Sequence, residues 1–402
     1  MPYDALPSYT IYKAMANLTE TQIYFKRGLV ITFIAAILFY TGRFMLNSAI
    51  EGYFYLFPPQ LPPPAASFGA LPTLKMSSIK IEGTPSYVLD TENGALPALP
   101  DRINVYRIAK PTTNLLSEQT IKQLAGDFSF NLNFIKSGVS KLKWTDGTNS
   151  RTFTADIVSK NFQLATGVEK LNTVVNQAVS ISNSDAEQMA LNFIRSKNLM
   201  NPSDLEHMYT TATPSMIILG RLKESKIDPQ RSKLMKIDVF RELVDVPANE
   251  KLKVQEVKYK VLGPNPRNSL INFYVTNSQK PFQFPIINYT YWDAGYTDKS
   301  DYGLTPLPVI WATIAQNKGV ISYLRLENED EFEPFKTNLN IDRVEISDIY
   351  LAYYESLDLQ EYLQPIYVFE GTFITNANDG KLPQRGEIVL YYPAVKGDFV
   401  KN

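Results

Sequence analysis

The sequence predicts an α+β protein carried on one N-terminal transmembrane helix, and three observations predict it. An apolar run occupies 28–50, with Arg43 as its one charge. Short alternating segments such as Ile103–Ile108, Leu270–Val275 and Ile388–Tyr392 recur through the rest of the chain. Helical spacing is confined to a few segments, and few helices against many strands indicates layers of helix and mainly antiparallel sheet.

The apolar run from Gly28 to Ile50 has no internal proline. About 20 helical residues cross the hydrocarbon of a bilayer, so it suffices. Lys26 and Arg27 stand at its N-terminal edge, and after Arg43 the next basic residue is Lys75. This asymmetry predicts a cytoplasmic N-terminal segment (1–27), a transmembrane helix (28–50) in contact with lipid, and an extracytoplasmic bulk at the plasma membrane. Arg43 either snorkels to the far interface or makes an intramembrane contact with a partner helix. Tyr53, Phe54, Tyr55 and Phe57 suit that interface.

Pro58-Pro59-Gln60-Leu61-Pro62-Pro63-Pro64 follows, and fixed φ with missing donors predicts an extended stalk rising about 3.1 Å per residue. Residues 51–100 are read as this aromatic and proline-rich stalk plus a lead-in that pairs with the first domain.

A first α+β module is expected over 101–180. It contains the strand at 103–108, a helix capped by Ser117 with Ile121, Leu124, Ala125 and Phe128 on one face, and a hairpin around Asp146-Gly147. A second is expected over 181–402. Ser184-Asp-Ala-Glu187 reads as a capping box, Asn198 as a left-handed stop, and Thr305-Pro306 as the start of another helix ended by Asn317-Lys318-Gly319. Strands are expected at 258–261, 270–275, 321–326, 344–354, 366–374 and 388–392.

Composition narrows the chemistry. The chain has 402 residues, 44% hydrophobic and 20% charged, which is globular in character. Lys and Arg total 40 against 41 Asp and Glu, so no basic excess favours nucleic acid. There is no cysteine and one histidine, His207. Disulfides, thiolate zinc sites, iron–sulfur clusters and paired-histidine metal sites are excluded. Ser77–Lys80 and Ser140–Lys143 fit Ser-x-x-Lys, but that motif needs a helix that brings both groups to one face, and both matches fall in loop or strand context. Glu327, Glu329, Asp330, Glu331 and Glu333 form an acidic run that matches no EF-hand spacing and reads as a solvated loop or a weak calcium site. No catalytic, cofactor-binding or metal residue is assigned. The candidate partner or ligand surface is aromatic: Tyr289, Tyr291, Trp292, Tyr296 and Tyr302 lie close together among glycines and aspartates.

The helix Ser184–Leu199 and the segments Ile349–Tyr354, Leu363–Gly371 and Tyr391–Val395 resemble the PepSY-like modules of the YycH/YycI type, membrane-anchored extracytoplasmic regulators of bacteria. The wider layout resembles uncharacterised single-pass membrane proteins of uncultured bacteria with small genomes. Phe68-Gly-Ala-Leu-Pro72 and Gly94-Ala-Leu-Pro-Ala-Leu-Pro-Asp-Arg-Ile-Asn-Val-Tyr106 stand where that group has its FGxLP and GxLPxLPxRxxVY elements. The resemblance implies two PepSY-like modules and no catalytic residues. The resulting expectation is a non-enzymatic protein that binds or regulates another cell-envelope protein. The alternatives are a glycan hydrolase with paired carboxylates, and a structural subunit of a secretion or pilus assembly.

Overall fold

A helix with no polar stripe cannot hide one face against a small core, and α1 (Leu18–Leu56) is such a helix. In the computed structural model, which describes residues 18–56, 63–131, 133–226, 231–245, 257–376 and 382–401, α1 belongs to a first unit spanning 1–63. Within its segment Gln22–Ile50 an 18-residue window reaches a mean hydropathy of 2.0, and none of that window is buried. At about 1.5 Å per residue it is long enough to cross a membrane. Thr32 and Thr41 donate their hydroxyls to the carbonyls of Gly28 and Ile37, at 2.9 and 2.7 Å, so neither adds an unpaired donor to the apolar surface. Arg43 is exposed on this helix. The stalk prolines up to Pro62, Phe57 and most of the expected cytoplasmic segment lie outside the described residues.

The second unit, 64–402, is a set of strands with helices packed on it. In chain order it contains β1 (Ile81–Glu82), β2 (Ser86–Leu89), β3 (Arg102–Ile108), α2 (Ser117–Asp127), β4 (Ile135–Ser137), β5 (Lys141–Asp146), β6 (Arg151–Asp156) and β7 (Phe162–Thr166). Then come α3 (Val168–Gln177), α4 (Asn183–Ser196), α5 (Pro202–Glu206), β8 (Met208–Ile218), β9 (Arg221–Glu224), β10 (Leu234–Asp245), β11 (Val257–Leu262), β12 (Ile271–Val275) and β13 (Ile286–Tyr289). The remainder is β14 (Ala294–Gly303), α6 (Leu307–Ile314), β15 (Val320–Leu326), β16 (Leu339–Tyr354), β17 (Tyr362–Thr375) and β18 (Arg385–Pro393).

Two antiparallel runs form the unit. One has the order β4-β5-β6-β7-β13-β12-β10-β8-β9. The other has the order β15-β18-β17-β16. β1, β2 and β11 lie parallel along the far edge of β16, and β11 also pairs antiparallel with β10, which joins the runs. β3 pairs with β14 and with the first residues of β17.

Alternation explains the faces. In β5, Leu142 and Trp144 point inward while Lys141 and Lys143 face out. Ile121, Leu124 and Ala125 of α2 and Ala186, Ala190 and Ile194 of α4 bury their stripes against Trp144, Phe153, Ile237 and Phe273. On the second run, α6 sets Leu307, Ile310 and Ile314 against Leu324, Phe369 and Leu390. Each helix covers one face of its run, as layered packing requires.

Several boundaries differ from expectation. The helix at 117–127 begins at Ser117 rather than being capped by it; Ser117 Oγ accepts from Asn114 N at 2.9 Å instead. α4 is capped by Ser182, whose hydroxyl oxygen accepts from Asp185 N at 3.1 Å, so the Ser184–Glu187 box lies one step inside the helix. The lead-in pairs with the C-terminal part and not with the first module: β2 lies along Arg343–Ile346, Leu71 N donates to Phe399 O and Lys401 N donates to Leu71 O, both at 2.7 Å. Strands also pair across position 180, because β7 lies beside β13 and β3 beside β14. Pairing between strands far apart in the chain leaves no local trace in a sequence.

Candidate functional site

The short helix α5 starts with Pro202 behind Asn201, whose side-chain oxygen accepts from Asp204 N at 2.8 Å. This cap places Asp204 inside the first turn with its carboxylate buried. Arg241 comes from β10 and Glu355 follows β16 directly. The Arg241 guanidinium donates through Nη1 to Asp204 Oδ2 at 2.9 Å and through Nη2 to Glu355 Oε1. Tyr291 donates its hydroxyl to Asp204 Oδ2 at 2.6 Å, and Tyr296 donates to Asp204 Oδ1. The Tyr291 ring lies under the guanidinium at 4.9 Å. Asn201 Nδ2 donates to Asp293 Oδ1 at 2.6 Å.

Charge and burial set the protonation chemistry. Burial alone would lower the Arg241 guanidinium, but Glu355 and Asp204 overturn this and hold it well above its ordinary value. Burial pushes the Glu355 carboxyl up, against the pull of Arg241, and Asp204 pushes it further. Two carboxylates share one guanidinium, and Asp204 takes the tyrosine donors, so Glu355 is the carboxyl that carries the excess charge. Burial raises the hydroxyls of Tyr289, Tyr291 and Tyr296. The groups are turned toward one another, and the arrangement works as a pin between α5, β10, β14 and the end of β16.

The aromatic cluster is for the most part packed inside rather than exposed, and Tyr289 and Trp292 also line a groove. Tyr289, Trp292 and Tyr302 are buried, and Tyr291 and Tyr296 are half-buried. Tyr289 stacks on Phe162 with ring centroids 4.9 Å apart and donates to the Leu199 carbonyl. Trp292 Nε1 donates to Ser356 O at 2.9 Å. Tyr302 belongs to another core, packed edge-on to Phe399 and donating to Gly69 O at 2.9 Å. Alternation is the reason: Tyr289 sits on the helix-facing side of β13, where apolar rings are buried and each hydroxyl needs a partner.

Other sequence candidates resolve simply. His207 is half-buried at the C-terminus of α5, and its carbonyl accepts from Glu242 N at 2.8 Å. Neither Ser77 nor Ser140, the serines of the two Ser-x-x-Lys matches, lies on a helix, and Ser140 donates to Asp156 Oδ2 at 2.5 Å. The acidic run folds around Arg325, which donates to the carbonyls of Glu331 and Glu333 at 3.2 and 3.0 Å. Three of its carboxylates are engaged by side chains: Glu333 with Lys223 at 2.7 Å, Glu329 with Lys336, and Glu331 with the Tyr323 hydroxyl at 2.7 Å. Among the described residues no group of three or more His, Cys, Asp or Glu is placed to hold a metal ion.

Sequence reasoning missed Asp204, Arg241 and Glu355. The available signal was the charge inside β10, where Lys236, Asp238 and Arg241 interrupt a strand that is otherwise mostly apolar. Charges in such a strand are paired when buried, and Lys236 and Asp238 do pair, at 2.8 Å.

No family model matches the chain, and no curated protein matches it. Among solved structures the chain is similar to the crystal structure of an uncharacterized protein from Eubacterium rectale ATCC 33656. The TM-score is 0.36 at 13% sequence identity, over 74% of this chain and 85% of that one.

Proposed function

We propose that this is a non-enzymatic, single-pass membrane protein whose second unit is extracytoplasmic and binds or regulates another cell-envelope protein. The observation that carries the reading is α1: its stretch from Gly28 to Ile50 is apolar and exposed, and Lys26 and Arg27 stand at its N-terminal edge. The order of helix followed by antiparallel strands, in α4 with β8 to β10 and again in α6 with β15 to β18, supports the PepSY-like description. The mutual pairing around Arg241 supports a scaffold role, since its carboxylates are spent on holding elements together.

Two measurements test this. Protease added to intact spheroplasts removes the second unit; protection of that unit reverses the topology. Crosslinking followed by purification of the full chain in mild detergent recovers a stoichiometric envelope protein, and recovery of the chain alone overturns the binding role. Arg43→Leu in the same experiment locates the contact. Loss of the partner with membrane insertion intact places the contact within the bilayer, and retention places it on the second unit.

A further inference from the structure

The face of the first run opposite α2 and α4, which α3 covers at one end by packing Leu171 and Val175 on Leu234 and Tyr274, carries a row of amides with no part in the reading above. Alternation sends Phe162, Leu164, Ile287 and Phe273 toward the helices, so Gln163 of β7, Asn288 of β13 and Asn272 of β12 share the opposite face. The register sets them side by side, Gln163 opposite Asn288 and Asn288 opposite Asn272. Gln163 Nε2 donates to Asn288 Oδ1 at 3.0 Å, and Asn288 Nδ2 donates to Asn272 Oδ1 at 2.9 Å. Asn272 Nδ2 ends the relay on Ser269 O at 3.0 Å. The row borders a groove of about 600 Å³, walled on one side by Leu357, Asp358 and Leu359. Leu357 and Leu359 are 61% and 48% exposed.

The relay fixes the plane of each amide and uses only part of its capacity. A carboxamide offers two donors and an acceptor with two lone pairs. Gln163 and Asn288 each retain an N–H beyond the relay bonds, and the Gln163 oxygen is outside it. Donors and acceptors therefore alternate along the groove without net charge, and Thr154 and Thr290 extend the same chemistry. The charged groups that also line the groove are Lys141, Asp156 and Asp358, and their excess of one carboxylate disfavours an anion. A peptide strand has no edge to extend, because β7 and β13 are paired on both sides. A hydroxyl donates and accepts at once, so a polyol fits. Successive strands stand about 4.8 Å apart, which favours a straight, extended polymer over a coiled one.

We propose that this groove binds a neutral, extended β-linked oligosaccharide, with Gln163 and Asn288 hydrogen-bonding its hydroxyls and Leu357 and Leu359 packing on the C–H face of its rings. Binding occurs without cleavage. Burial opposes the ionised form of Asp156, but the Ser140 hydroxyl and the amides of Ser159 and Val158 hold its carboxyl below the usual carboxylate range, so it accepts hydrogen bonds and does not donate a proton. The proposal does not rest on the protein-binding role, and its failure leaves the crosslinking result untouched.

The test uses the full chain in lipid nanodiscs, titrated with chitohexaose and with cellohexaose by calorimetry, with heparin as the charged comparison. Saturable binding of at least one neutral hexamer is expected. Gln163→Ala, at an exposed position, weakens it at least tenfold, and Leu359→Asp at least fivefold, both with an unchanged unfolding midpoint. No saturable binding of either hexamer at millimolar concentration overturns the proposal. So does tighter binding of heparin, or binding indifferent to both substitutions.

Discussion

Two polar assemblies lie in the same unit and are built from similar side chains, yet they are opposites. Around Arg241 the charged groups are buried, the phenols of Tyr291 and Tyr296 are half-buried, and all are turned toward one another. Along Gln163 and Asn288 each group is bonded once or twice and then faces the groove, with the buried Asn272 closing the row. The difference teaches that saturation of hydrogen-bonding capacity, rather than polarity, separates a structural pin from a surface for recognition. A saturated network resists removal of any member. An unsaturated one tolerates removal and loses only what it would have bound.

Removing the pin's centre gives the largest effect. Arg241→Met leaves Asp204 and Glu355 buried without their cation and costs about 3–5 kcal/mol in urea unfolding. Restoring neutrality with Asp204→Asn and Glu355→Gln in the same chain recovers most of that loss; no recovery would show that packing, not charge, is what Arg241 supplies. Tyr291→Phe removes one donor from Asp204 and costs about 1–3 kcal/mol.

The third effect depends on pH. The Glu355 carboxyl is raised in the folded protein, so the folded state holds its proton longer than the unfolded chain does. Its contribution is fully present below the unfolded glutamate value of about 4.3 and is lost as pH rises through the folded value. Glu355→Gln lacks this loss, so its stability relative to the parent improves from acid toward neutral pH. A relative stability flat across that range removes Glu355 from the role of excess charge. The smallest effect belongs to the open row: Gln163→Ala shifts stability by no more than about 0.5 kcal/mol. A shift comparable with that of Tyr291→Phe would make the row a second pin and erase the contrast.

What was legible in the sequence was local. The Asp146-Gly147 turn, the left-handed Asn198 and the helix after Pro306 each depend on a few adjacent residues, and each is present. The strands β8, β9 and β10 escaped notice although β8 and β9 form a hairpin through Leu219-Gly220, and β7 and β13 escaped because their pairing joins distant parts of the chain. The pin was illegible for the same reason: Arg241 lies 37 residues from Asp204 and 114 from Glu355. The aromatic cluster was visible as composition but not as placement. Tyr289 shares the inward parity of Ile287, and that alternation puts it under the helices.

The crossing of residues 71 and 399–401 has a mechanical consequence. Leu71 and Val400 run parallel, held by Leu71 N to Phe399 O and Lys401 N to Leu71 O. A pull transmitted along the chain into residue 64 first meets the bonds of Ala65, Ala66 and Ser67 to Asp301 and Ser300 of β14, and this short clasp comes next. Tension on the tether is thus met at the rim, where the folded body is sewn shut.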